Sequence, residues 1–88
     1  MRNPILILNF EIDVNHIEEV EIHSFKELKQ KIYQLFDDHQ IDDIQIKQNA
    51  LYRAYACLPD SYKNTLPIND HKKMDKYRLK HKAYLDVC

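Results

Sequence analysis

Residues 5–12 read ILILNFEI, apolar at four consecutive positions and then alternating, with Leu6, Leu8, Phe10 and Ile12 on one side. That pattern predicts a strand whose first half is covered on both faces. Asp13, Val14, Asn15 and His16 supply turn chemistry without glycine, Asp and Asn being the next most tolerant residues for it. Residues 17–22 alternate again, Val20 and Ile22 facing in, Glu19 and Glu21 out, so an antiparallel hairpin is expected.

Ser24 followed three residues later by Glu27 is a capping box, which starts a helix. Phe25, Leu28, Ile32, Leu35 and His39 then recur at steps of three and four, with Phe36 widening the stripe. Burial of that face against the hairpin is the expectation, since two heptads are too few for a coiled coil. Glu27 and Lys31 form a favourable i,i+4 pair outside. Asp37 and Asp38 oppose the helix dipole, so fraying is expected at this end.

Beyond it the periods are less clean. Ile44 and Ile46 alternate and are candidates for a short third strand. In residues 49–58, Leu51, Ala54, Tyr55 and Leu58 fit the i, i+3, i+4, i+7 template and three alanines favour helix over strand. Pro59 stops that helix or opens a short turn, and Leu66 and Pro67 end the irregular segment. Asn69 or Asp70 is the expected cap of a final helix reaching Leu85, with Met74, Tyr77, His81, Tyr84 and Leu85 on one side. Lys72, Lys73, Lys76 and Lys80 form the adjacent stripe, and Arg78 and Lys82 flank the apolar side from the opposite edge. The fold class read from this order is α+β in a single domain over residues 1–88: an N-terminal hairpin packed on an amphipathic helix, then a mainly helical second half.

Composition narrows the chemistry. The chain has 88 residues and no glycine, where average usage would supply roughly six. Phosphate-cradling loops, dinucleotide fingerprints and nucleophile elbows all use glycine for positive φ or close backbone approach, so none is expected in its usual form. No run of aliphatic residues exceeds the four from Ile5 to Leu8, which excludes a membrane-spanning helix, and without a signal-peptide pattern the cytoplasm is the expected location. Two cysteines, Cys57 and Cys88, make no disulfide framework.

The net charge of −1 hides an asymmetry: residues 1–47 carry ten acids against five bases, residues 48–88 four acids against eight bases. Such a chain pairs its halves internally or presents two differently charged faces.

Candidate chemistry is thin. The five histidines, His16, His23, His39, His71 and His81, include no i,i+4 pair, and no CxxC occurs, so no metal and no cofactor is expected. Asp37, Asp38 and His39 are adjacent but point apart on a helix. Cys57 has only Arg53 at i−4 to favour a thiolate, and paired acids such as Glu18 with Glu19 or Asp42 with Asp43 read as solubilising charge. No catalytic residue is assigned, and an enzyme is not expected.

Two features suit binding. Tyr52, Arg53, Tyr55 and Tyr62 surround Pro59, and tyrosine and arginine dominate interface hot spots, although tyrosines also anchor small cores with their hydroxyls wet. The basic surface of Lys72, Lys73, Lys76 and Lys80 suits an acidic protein surface or nucleic-acid phosphates, or is a solvated face of a helix docked on the core. The expected function is a non-enzymatic cytosolic regulator acting by protein–protein contact, such as a modulator of a transcription factor or an inhibitor of a nuclease or toxin. The alternative is nucleic-acid binding through the basic helix. No membrane partner is expected, and the chain is read as a monomer or homodimer.

Overall fold

The protein is described here by a computed structural model covering residues 3–12, 16–78 and 84–87. Strand β1 (Ile5–Phe10) pairs antiparallel with β2 (Ile17–Glu21), as the alternation predicts. Leu6, Leu8 and Phe10 are buried, and Val20, opposite Leu6, shares their face. The turn expected at Asp13, Val14 and Asn15 lies outside the described residues. Ile12 leaves the alternation, standing exposed in the turn that follows β1.

Helix α1 (Phe25–Asp38) begins where the capping box places it, the Ser24 hydroxyl accepting from the Glu27 N–H at 3.1 Å. Its Leu28, Ile32, Leu35 and Phe36 are buried, and the Phe36 ring meets Phe10 edge to face at 5.0 Å between centroids. Lys31 does not stay on the helix surface with Glu27 but reaches Glu18 of β2 at 2.5 Å, tying helix to sheet.

The expected fraying at Asp37 and Asp38 does not occur, because the end is closed from two sides. Gln40 takes a left-handed conformation, φ 61°, which lets its N–H donate to Asp37 O at 2.9 Å and the Ile41 N–H to Phe36 O at 3.0 Å. These two bonds make a Schellman motif, with a glutamine where most helices use glycine. Lys47 from the next helix forms an ion pair with Asp37, offsetting its clash with the dipole.

Ile44 and Ile46 are not a strand. They open helix α2 (Ile44–Ala56), because the Asp43 carboxylate accepts from the N–H groups of Gln45 and Ile46 at 2.9 and 3.4 Å and starts the helix there. Residues 49–56 continue it, in keeping with the helical template. Pro59 then opens the short α3 (Asp60–Lys63), and Pro67, rather than Asn69 or Asp70, stands at the N-cap of α4 (Ile68–Lys76).

The last helix is shorter than its amphipathic pattern suggests. It ends at Lys76, and Leu85, expected within it, belongs to β3 (Leu85–Val87), which pairs antiparallel with the free side of β1. Leu85 stands opposite Phe10 and is fully buried, and the Glu11 N–H donates to Tyr84 O at 2.8 Å. Pairing with an unsatisfied strand overrides helical periodicity here. The sheet order is β2-β1-β3, all helices packing on one side of it. Arg53 of α2 donates to the Asp86 carboxylate at 3.0 Å and the Cys57 thiol to Val87 O at 3.4 Å, so α2 borders the outer edge of β3.

Ile32→Ala should cost about 2 to 5 kcal/mol in chemical denaturation, against under about 0.5 for Lys29→Ala on the opposite face; equal small losses would show that the stripe is not core. Gln40→Gly should raise stability by a few tenths to about 1 kcal/mol, because relief of about 1 to 2 kcal/mol of left-handed strain exceeds the entropy glycine adds to the unfolded chain. A destabilised Gln40→Gly would contradict the Schellman geometry.

Candidate functional site

The quartet Tyr52, Arg53, Tyr55 and Tyr62 is divided by the turn of α2. The three tyrosines are partly buried against the core. Tyr55 packs edge-on to Phe25 at 6.2 Å between ring centroids and shares a 2.6 Å hydrogen bond with His71 of α4, while Lys63 of α3 lies over its ring. It thereby fastens α2 to three other elements. Burial raises its phenol pKa, with Asp75 and Tyr52 adding to the effect, and burial does the same for Tyr62, helped by Glu27. Neutral, packed phenols are hydrogen-bonding anchors rather than nucleophiles. Arg53 points elsewhere, to Asp86 on β3.

Among the basic residues, Lys72, Lys73 and Lys76 are exposed on α4; Lys80, His81 and Lys82 lie outside the described residues, as does Cys88. Cys57 is an exposed free thiol. Among the described residues no three His, Cys, Asp or Glu side chains are grouped to hold a metal ion, and no helix is long and apolar enough to cross a membrane.

Two surfaces emerge that the chain order does not announce. The first is the side of the sheet away from the helices. Ile5, Ile7 and Ile17 are 56, 42 and 64 % exposed there, so the expected coverage of both faces of β1 is corrected: a sheet with helices on one side buries only alternate residues. Register places Ile5 opposite Glu21, Ile7 opposite Glu19, and Asn9 between Ile17 and Asp86. The result is an apolar centre between glutamates on β2 and the Arg53–Asp86 pair beyond β3. At one end Asn3 lies 3.1 Å from His23 Nδ1, and His23 Nε2 is 3.7 Å from Glu21.

The second is a cleft of about 180 Å³ between α1 and α4. Phe25, Leu51, Met74 and Tyr77 form its walls and floor, and Lys26, Lys29 and Lys73 stand around it with Asp70. Leu51 and Met74 are almost wholly buried. Beside it on α1, Tyr33 carries Lys29 over its ring at 5.4 Å, and burial, with a smaller contribution from Tyr77, pushes its phenol up to about 12. Lys26 and Lys29 come from the exposed stripe of α1, which their spacing marks as solvated; only the docking of α4 beside it makes a concave, lysine-rimmed site.

Glu18, on the helix side of β2, is a structural group. The hydrogen bond from Lys31 holds its carboxyl below the usual value, against the opposing effect of burial, and His16 at 3.2 Å adds to the lowering.

Comparison with protein-family models, with curated proteins and with solved structures finds no match to this chain.

Tyr33 gives the protein an alkaline signature. Its phenol holds its proton to about 12 when folded, against 10.0 for a free tyrosine, so its contribution to stability is intact below pH 10 and is lost as pH rises from there through 12. Tyr33→Phe should therefore show a shallower fall of thermal midpoint over that window than the unsubstituted protein; identical slopes would remove the assignment.

Proposed function

We propose that this is a non-enzymatic protein that works by binding another protein through the open face of its sheet, and that the partner is a nucleic-acid-binding protein such as a transcription factor or nuclease, contacted on its basic surface. The observation that carries the reading is the group of Ile5, Ile7 and Ile17, exposed side by side with Glu19 and Glu21 along one border. An apolar centre with a polar rim is the anatomy of a protein interface, and an exposed apolar patch on a small soluble chain marks a contact site. The glutamates select the partner: they repel phosphate and suit lysine or arginine, which nucleic-acid-binding surfaces supply.

The exposed free thiol of Cys57 is in keeping with a reducing cytoplasm as its setting.

Affinity capture with cross-linking should recover a partner with the unsubstituted chain, lose it with Ile7→Lys, weaken it with Glu19→Lys, and release it when duplex DNA or RNA is added as competitor. Ile7 is exposed, so Ile7→Lys should keep its thermal midpoint. Capture unchanged by Ile7→Lys, or a concentration-dependent dimer abolished by that substitution in sedimentation experiments, would overturn the reading.

A further inference from the structure

We infer that the α1–α4 cleft is a second binding site, one that takes a bulky apolar side chain presented on an acidic segment of a protein. The inference does not rest on the open sheet face, which lies on the side of the sheet away from the helices.

Size is the first argument. About 180 Å³ is below the roughly 300 to 1,000 Å³ of pockets that enclose drug-sized ligands and cofactors. It suits one large side chain, the way an interface anchor fills a pocket on its partner.

Lining is the second. Leu51 and Met74, almost wholly buried, close the floor, and the partly buried rings of Phe25 and Tyr77 supply the apolar wall that a ligand would cover, with little to read a base edge. Leu51 and Met74 are held by the core, which makes the floor rigid before anything binds. A preformed pocket loses less in ordering on binding than one that must assemble.

Charge is the third. Lys26 and Lys29 on one wall and Lys73 on the other face a single acid, Asp70. The basic character extends outward along α4, where Lys72 and Lys76 are exposed beside Lys73. Lysines are point charges on flexible stems that can follow a string of carboxylates, and they lack the planar fork that arginine uses to read base edges. The partly buried Tyr33 and Tyr77 offer no exposed row of rings for successive bases to stack on. An apolar anchor flanked by aspartate or glutamate meets each of these features: its side chain fills the cleft and its carboxylates meet the lysines.

The experiment is an amide-detected NMR titration of the full chain with three probes: a short peptide of glutamate and aspartate around one phenylalanine, the same peptide with alanine replacing phenylalanine, and oligothymidylate of similar length. The phenylalanine peptide should shift Lys26, Lys29, Lys73 and Tyr77 saturably, and the alanine peptide should bind about tenfold more weakly or worse, the loss expected of an interface anchor. Lys26→Glu combined with Lys73→Glu should abolish the shifts without lowering the thermal midpoint, whereas Ile7→Lys should leave them unchanged. Equal binding of the two peptides would reduce the site to unspecific charge, tighter binding of oligothymidylate would make it a nucleic-acid surface, and shifts confined to other residues would place no site in the cleft; each overturns the inference. Should the double lysine variant unfold, Lys73→Gln alone provides the same comparison, with weakened peptide binding expected.

Discussion

Phe10 is the residue on which the separate parts of this protein converge. It closes the central strand, stands opposite Leu85 of the last strand, meets Phe36 of α1 edge to face, and carries His39 at 4.6 Å and His16 at 6.2 Å between ring centroids. Hairpin, first helix and final strand thus share one fully buried ring. Such a ring contributes its apolar area and, through paired aromatic geometry, about 0.5 to 1.5 kcal/mol beyond it. The rest of the helical layer is fixed in turn: α1 positioned by Phe36 receives α2, and α2 receives α3 and α4 through Tyr55.

A two-layer arrangement built this way has one inner face only. β1 carries isoleucine on both sides of its first half, yet helices cover just one, and Ile5 and Ile7 are left against solvent with Ile17 across the ladder. On the helical side the lysines of α1 and α4 come together around a concave site. The charge asymmetry of the chain is accordingly expressed in space as well as along the sequence, though internal pairs consume part of it, Glu18 with Lys31 and Asp37 with Lys47 among them.

What could be read from the sequence was what is encoded locally. The hairpin follows from period-two alternation, and α1 from its cap and stripe, because each signal lies within a few residues of the structure it specifies. Asp43 carried an equally local signal for the start of α2, obscured by the alternation of only two isoleucines. Leu85 could not be placed in the same way: its residence in a strand depends on an open edge of β1 far away in the chain, and its spacing from Met74 and Tyr77 fits a helix equally well. The candidate surfaces divide similarly. Lys72, Lys73 and Lys76 were visible as a basic stripe, but Lys26 and Lys29 become their neighbours only through the docking of α4 beside α1. Tyr52, Tyr55 and Tyr62 have the composition of an interface and the partly buried environment of anchors, a distinction that residue type alone does not make.

β3 has a consequence for the order in which the fold can be completed. It follows every helix among the described residues and pairs with the first strand, so the sheet is finished by a contact spanning nearly all the residues between them. The hairpin and α1 are made before Leu85, the residue that stands beside Phe10. Over that interval β1 offers a bare hydrogen-bonding edge and an incompletely covered phenylalanine. Non-local closure of this kind slows folding relative to helical proteins of similar size, and it makes the nascent chain, rather than the finished protein, the species with the greatest need of shielding from its neighbours.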